Sequence, residues 1–118
     1  MSASVQGIKT VLYPVSDVEK AKVVYTALVG IAPQADSSYY VGYDVAGQHI
    51  GLLPGGGPQG LTSPVAYWHV DDIEGKLAEL TAAGATIEQA PNEVGGGRVV
   101  ASVIDTDGNV LGLIQDKA

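Results

Sequence analysis

The chain contains one stretch of itself twice. Asp44-Val-Ala-Gly-Gln-His-Ile-Gly-Leu-Leu53 returns as Asp105-Thr-Asp-Gly-Asn-Val-Leu-Gly-Leu-Ile114, with Asp, Gly, Gly and Leu at the same places. Upstream of each, Val15-Ser-Asp-Val-Glu19 returns as Val70-Asp-Asp-Ile-Glu74. Two landmarks in the same order mean two copies of one structural unit, and an internal repeat constrains a fold more than any local propensity. It also pairs positions. A functional group expected at a given place in one copy can be sought at the equivalent place in the other.

Length and composition set the outer bounds. The 118 residues make one domain, 1–118, with 46% hydrophobic residues to build a core. The net charge of −7 and six dispersed basic residues (Lys9, Lys20, Lys22, Lys76, Arg98 and Lys117) argue against nucleic acid, which needs clustered Lys and Arg. No apolar run reaches membrane-span length, and residues 1–7 lack the regions of a signal peptide. With no cysteine, thiolate metal sites and nucleophiles are excluded, and a cytoplasmic location is expected.

Each copy reads as strand, helix, then strands. Residues 7–15 are β-branched and aromatic, a strand signature, and 65–70 match them in the second copy. Ser16-x-x-Glu19 and Asp71-x-x-Glu74 are predicted helix caps. Val18, Ala21, Val24, Tyr25 and Leu28 then recur at helical spacing, as do Ile73, Leu77 and Leu80, before Gly30 and Gly84 stop the helices. Strands are expected over 38–44 and 48–53, joined by Val45-Ala46-Gly47. The second copy gives 98–104 and 109–115, joined by Thr106-Asp107-Gly108. Short extra strands are expected near 33–35 and 85–88.

The order and doubling of these motifs, with Gly84-Ala85 and Asp105-Thr-Asp-Gly-Asn109, resemble the glyoxalase/bleomycin-resistance/dihydroxybiphenyl-dioxygenase superfamily, also called vicinal oxygen chelate. The resemblance implies an α+β fold of two tandem βαβββ modules, about 7–54 and 64–116 with a linker over 54–63. The modules form a cupped mixed sheet with helices on the convex side, and many members are homodimers. Metal-dependent members hold one divalent ion with His, Glu or Gln on the first and last strands of each module. The resemblance carries those positions onto Thr10, Gly51, Val65 and Gly112. Cations of that kind need carboxylate, imidazole or other oxygen donors, and these four offer one neutral hydroxyl. No metal, no cofactor and no metal-dependent catalysis are expected. His49 and His69, whose repeat partners are Val110 and Pro14, read as hydrogen-bonding residues and not as ligands of a relocated ion.

Strand alternation assigns a ligand-binding face. Anchored on the vacated positions, it collects Thr10, Leu12, Tyr39, Val41, Tyr43, His49, Gly51 and Leu53 from the first module. The second contributes Val65, Tyr67, His69, Ser102 and Gly112, with Val100, Ile104, Val110 and Ile114 beside them. The opposite parity (Val11, Tyr13, Val15, Tyr40, Ile50, Leu52, Trp68, Val70, Val99, Val103, Leu111 and Leu113) is the core beneath the helices. Tyrosines, histidines and a serine on an aliphatic floor suit a small-molecule pocket, with glycine vacating volume at its base. The competing reading, filler in a closed sheet or a dimer seam, is the less favoured.

Two glycine-rich segments remain. Pro54-Gly-Gly-Gly-Pro-Gln-Gly60 matches Gly-x-Gly-x-x-Gly but leads into a strand, so it is a linker and not a dinucleotide site. Asn92-Glu-Val-Gly-Gly-Gly-Arg98 carries the lone arginine, which either meets a ligand carboxylate or pairs with Glu93. Ser102 has no visible activating partner. The expected function is a metal-independent, non-catalytic homodimer that sequesters an aromatic or amphipathic natural-product antibiotic of enediyne, mitomycin or bleomycin type. The rivals are a metal-independent isomerase or cyclase using His49, His69 or a tyrosine, and a relative that has lost its activity.

Overall fold

The computed structural model describes residues 5–57 and 60–116. Its elements are β1 (Val5–Val15), α1 (Val18–Val29), β2 (Ala35–Asp36), β3 (Val41–Val45), β4 (Gln48–Pro54), β5 (Val65–Val70), α2 (Ile73–Ala82), β6 (Thr86–Gly95), β7 (Arg98–Ile104) and β8 (Val110–Gln115). The mixed α+β class and the twice-repeated βαβββ order agree with the expectation. Two compact units result, one spanning Lys9–Val65 and the other taking the remaining described residues. Pro58 and Gln59, within the expected linker, lie outside the described residues, and so does Lys117. No helix among the described residues is long and apolar enough to cross a membrane.

In the first unit the strand order is β2-β3-β4-β1, with β1 parallel to β4 and the other pairs antiparallel. Helix α1 covers one face. Val41, Tyr43 and Leu52 are fully buried there, packed with Tyr13, Val15, Ile50, Val18, Ala21, Tyr25 and Val29. The Tyr43 hydroxyl lies 2.8 Å from Thr26 Oγ1 and donates to the Lys22 carbonyl, tying β3 to the helix. Two residues of the expected stripe, Val24 (64% exposed) and Leu28 (77%), do not pack. The half-buried strip that packs on the sheet follows Val18, Ala21, Tyr25 and Val29, and at 3.6 residues per turn Val24 and Leu28 fall on its flank.

The second unit repeats the plan as β5-β8-β7-β6, with β5 and β8 parallel. Ile73 and Leu77 of α2 are buried against Val70, Ala101, Val103 and Leu113, with Leu80 alongside, as the periodicity predicts. Trp68 departs from expectation. It shares the parity of Val70 and pairs with Leu113, yet it is 38% exposed and outside the cluster beneath α2.

Both helix caps sit one residue later than predicted. The Asp17 carboxylate accepts from Glu19 N (3.1 Å) and Lys20 N (3.2 Å), so Asp17 and not Ser16 is the N-cap. Asp72 likewise accepts from Gly75 N at 3.0 Å, and Gln115 supplies a further acceptor to Ile73 N at 2.7 Å. In each copy two capping residues stand side by side, and the extended backbone of the second (φ −134° at Asp17, −145° at Asp72) decides which one works.

The β3–β4 hairpin differs from the expectation. The expected three-residue loop is a two-residue turn, Ala46-Gly47, with φ of 53° and 78°. Val45 therefore pairs with Gln48 and Asp44 with His49. A shift of one residue moves every side chain of a strand to the other face. In the second copy the loop is longer. Ile104 pairs with Val110, and the Asp105 carboxylate accepts from Asp107 N, Asn109 N and Asn109 Nδ2 at 2.8–2.9 Å. These bonds, led by the one from the Asn109 side chain, hold Asp105 below the usual carboxylate range. Strand β6 is also longer than the short strand expected, and its pairing with β7 is broken by register shifts. The presumed 92–98 loop is thus strand β6 followed by a turn at Gly96-Gly97 (φ 64° and 80°).

Candidate functional site

Each unit has one face without a helix, and the candidate residues divide between these faces and elsewhere. On the first, Leu12 of β1 pairs with Gly51 of β4, and Gly51 with Gly42 of β3. A Cβ on Gly51 would meet Tyr40 Oη at 2.5 Å and Leu12 Cδ2 at 2.6 Å. One on Gly42 would meet His49 Cε1 at 2.8 Å and Tyr40 Cε2 at 2.9 Å. Paired glycines thus form a floor on which the Tyr40 and His49 rings lie, 5.9 Å apart between centroids and nearly parallel at 13°. His49 Nε2 is hydrogen-bonded to the Tyr40 hydroxyl, and His49 Nδ1 lies 2.6 Å from Asp44 Oδ1. The unit therefore presents an ordered chain: carboxylate, imidazole, phenol.

This corrects the face assignment of β3. Tyr40, expected beneath the helix, stands with His49, whereas Val41 and Tyr43, expected on the ligand face, pack under α1. The cause is the two-residue turn. Tyr39 is not on either sheet face but in the segment before β3, 77% exposed. Thr10, paired with His49, is buried, as are Leu53 and Val65.

On the helix-free face of the second unit, Tyr67, Gly112 and Ser102 stand in one row across β5, β8 and β7. A Cβ at Gly112 would meet the Tyr67 ring at 2.5 Å. Ser102 Oγ donates to Glu88 Oε1 at 2.9 Å, giving Ser102 a partner that was not apparent in the sequence. Burial pushes the Tyr67 phenol up, and the Glu88 charge adds to the shift. Along the same strands His69 Nδ1 lies 3.3 Å from Asp116 Oδ2, and Arg98 Nε donates to Asp116 Oδ1 at 2.8 Å. Burial works to raise the Asp116 carboxyl, but Arg98 and His69 outweigh it and hold it low. Arg98 thus pairs with Asp116, not Glu93.

The expected metal positions do not fit a metal. Thr10, Gly51, Val65 and Gly112 bring no anionic or imidazole donor, and the space over both glycines is filled by this chain's own tyrosines. That filling also corrects the expectation that the glycines leave room for a ligand. Among the described residues no three His, Asp or Glu side chains converge so as to hold an ion. Sequence reasoning missed Tyr40, Asp44, Gly42, Glu88 and Asp116. The first three follow only from the β3–β4 register, and Glu88 lies on a strand whose irregular pairing defeats alternation.

Comparison with known proteins agrees with this architecture. The profile described as glyoxalase/bleomycin resistance protein/dioxygenase superfamily matches residues 7–113. No curated protein matches the sequence. Among solved structures, a hypothetical protein from Bacillus halodurans superimposes with TM-score 0.77 at 14% identity, covering 100% of this chain and 97% of that one. Methylmalonyl-CoA epimerase from Mycobacterium tuberculosis gives 0.70 at 14% identity, covering 100% and 93%. The Mn(II)-bound glyoxalase from Novosphingobium aromaticivorans gives 0.73 at 19% identity, covering 98% of this chain but 40% of the longer glyoxalase. At such identities the likeness concerns the fold.

Proposed function

The chain belongs to the glyoxalase/bleomycin resistance protein/dioxygenase superfamily, and from that premise we propose that it is a metal-independent binding protein for an aromatic or amphipathic small molecule. The observation that carries this reading is the substitution at Gly51 and Gly112. Where the family's metal ligands are expected, glycine stands, and a tyrosine ring or hydroxyl occupies the space a side chain would take. A phenol offers a flat apolar surface and one hydrogen-bonding group, which suits orienting an aromatic ligand better than binding a cation. The biological role that fits is sequestration of a natural-product antibiotic by a homodimer, since sequestration needs affinity and no catalytic group. The proposed contacts are Thr10, Leu12, Tyr40, His49 and Leu53 in the first module. The second βαβββ module contributes Val65, Tyr67, His69 and Ser102.

Native mass spectrometry against a panel of aromatic antibiotics tests the proposal. A stoichiometric complex is expected, free of divalent metal, from which the ligand is recovered with unchanged mass and chromatographic retention. A stoichiometric metal in the active preparation would refute it. The enzyme alternative is favoured by one observation, the Asp44–His49–Tyr40 chain, because an oriented imidazole can transfer protons. Under that alternative the recovered ligand has an altered retention or mass.

A further inference from the structure

We propose that the Asp44–His49–Tyr40 chain makes the Tyr40 hydroxyl a proton-accepting contact for a weakly acidic hydroxyl, so that the first unit holds a phenolic or enolic ligand as its anion. The inference rests on the binding function above and names the ligand chemistry. Three observations carry it. The chain has a direction: Asp44 Oδ1 at 2.6 Å from Nδ1 places the imidazole N–H on Nδ1, so in the neutral ring Nε2 is an acceptor and Tyr40 donates to it. The chain has a seat: Gly42 and Gly51 are paired across β3 and β4, and a methyl group on either would collide with Tyr40. Finally, Tyr40 is partly buried on the helix-free face, whereas Tyr43 lies under α1, bonded to Thr26 and Lys22.

The proton inventory is simple. The ligand O–H donates to Tyr40 Oη, and its proton passes to that oxygen as the phenolic proton of Tyr40 passes to His49 Nε2. The imidazolium keeps its Nδ1 proton against Asp44, and the ligand is left as an oxyanion accepting from Tyr40. One proton moves from ligand to His49, and no other bond changes. This is the orienting logic of an acid–base triad with a phenol at its end. The chemistry selects the ligand. An aliphatic alcohol is too weak an acid for imidazole, and a carboxylic acid is already ionised at neutral pH with no proton to give. Phenols and enols lie between these two in acidity.

The test uses the purified full chain with 4-nitrophenol and its methyl ether 4-nitroanisole, at a pH just below the free phenol's own ionisation midpoint. Bound nitrophenol is expected to show the phenolate absorption band, and nitroanisole to bind about tenfold more weakly, the value of one charge-assisted hydrogen bond. Tyr40→Phe, which keeps the ring, and Asp44→Asn, at an exposed position, should both lose the band. Circular dichroism and the urea midpoint of both variants should match the parent, showing that the fold survives. Asp44 is a positioning residue, so its signature is loss of ionisation with little loss of nitroanisole affinity. Equal binding of the two probes with nitrophenol un-ionised would overturn the inference, as would a phenolate band that survives Tyr40→Phe. Failure of both probes to bind also overturns it. The broader binding function is decided separately by the antibiotic panel.

Discussion

Gly51 and Gly112 occupy corresponding places in the two copies, and neither has a left-handed backbone. Their need for glycine is purely one of space. Gly112→Ala would drive a methyl group into the Tyr67 ring at 2.5 Å, and overpacking of this kind costs about 1–3 kcal/mol. Urea denaturation should show that loss, and a variant as stable as the parent would mean that the ring moves freely aside. What the sequence discloses at this scale is chemical. The absence of carboxylate or imidazole donors at Thr10, Gly51, Val65 and Gly112 is plain from residue type alone. What fills the space is not, because Tyr40 reaches Gly51 from the chain just before the paired strand β3, and Tyr67 reaches Gly112 from the paired strand β5.

At the scale of elements, the signals that survive translation into structure are those carried by local periodicity. The strip Ile73, Leu77 and Leu80 packs as its spacing predicts. Caps are harder, because Ser16 and Asp17 are both competent and only the backbone distinguishes them. Asp17→Ala should cost about 1 kcal/mol in thermal or denaturant unfolding, while Ser16→Ala should stay within about 0.5 kcal/mol. The reverse order would restore Ser16 as the cap. Hairpins are harder still. Val45-Ala46-Gly47 looks like the counterpart of Thr106-Asp107-Gly108, but Ala46 adopts φ 53° and closes a tighter turn, while Asp105 ties down a longer one. Alanine is uncommon in that conformation, so nothing in its identity announces the turn, and the assignment of Val41, Tyr43 and Tyr40 inverted with it.

For the molecule as a whole, the doubled motif made the α+β class and the twice-told βαβββ order legible, since both rest on order and spacing. The two helix-free faces were legible only where pairing was regular, as along β5, β8 and β7. Charge acts at this scale too. Asp105 and Asp116 both titrate below their ordinary range. A carboxyl depressed by folding lends stability above its unfolded value, near 3.9, and loses it as pH falls through the lower folded value. Acid unfolding should therefore steepen below about pH 4, and the double variant Asp105→Asn, Asp116→Asn should flatten that limb in a pH series of urea midpoints. An unaltered limb would show that other carboxylates govern it. The two-residue turn at Ala46-Gly47 gives β3 a reading frame. One residue inserted there would exchange the strand's two sets of side chains, sending Tyr40 toward α1 and Val41 and Tyr43 outward. A change in loop length alone would then rewrite what the helix-free face of the sheet displays, with every residue of the strand left as it was.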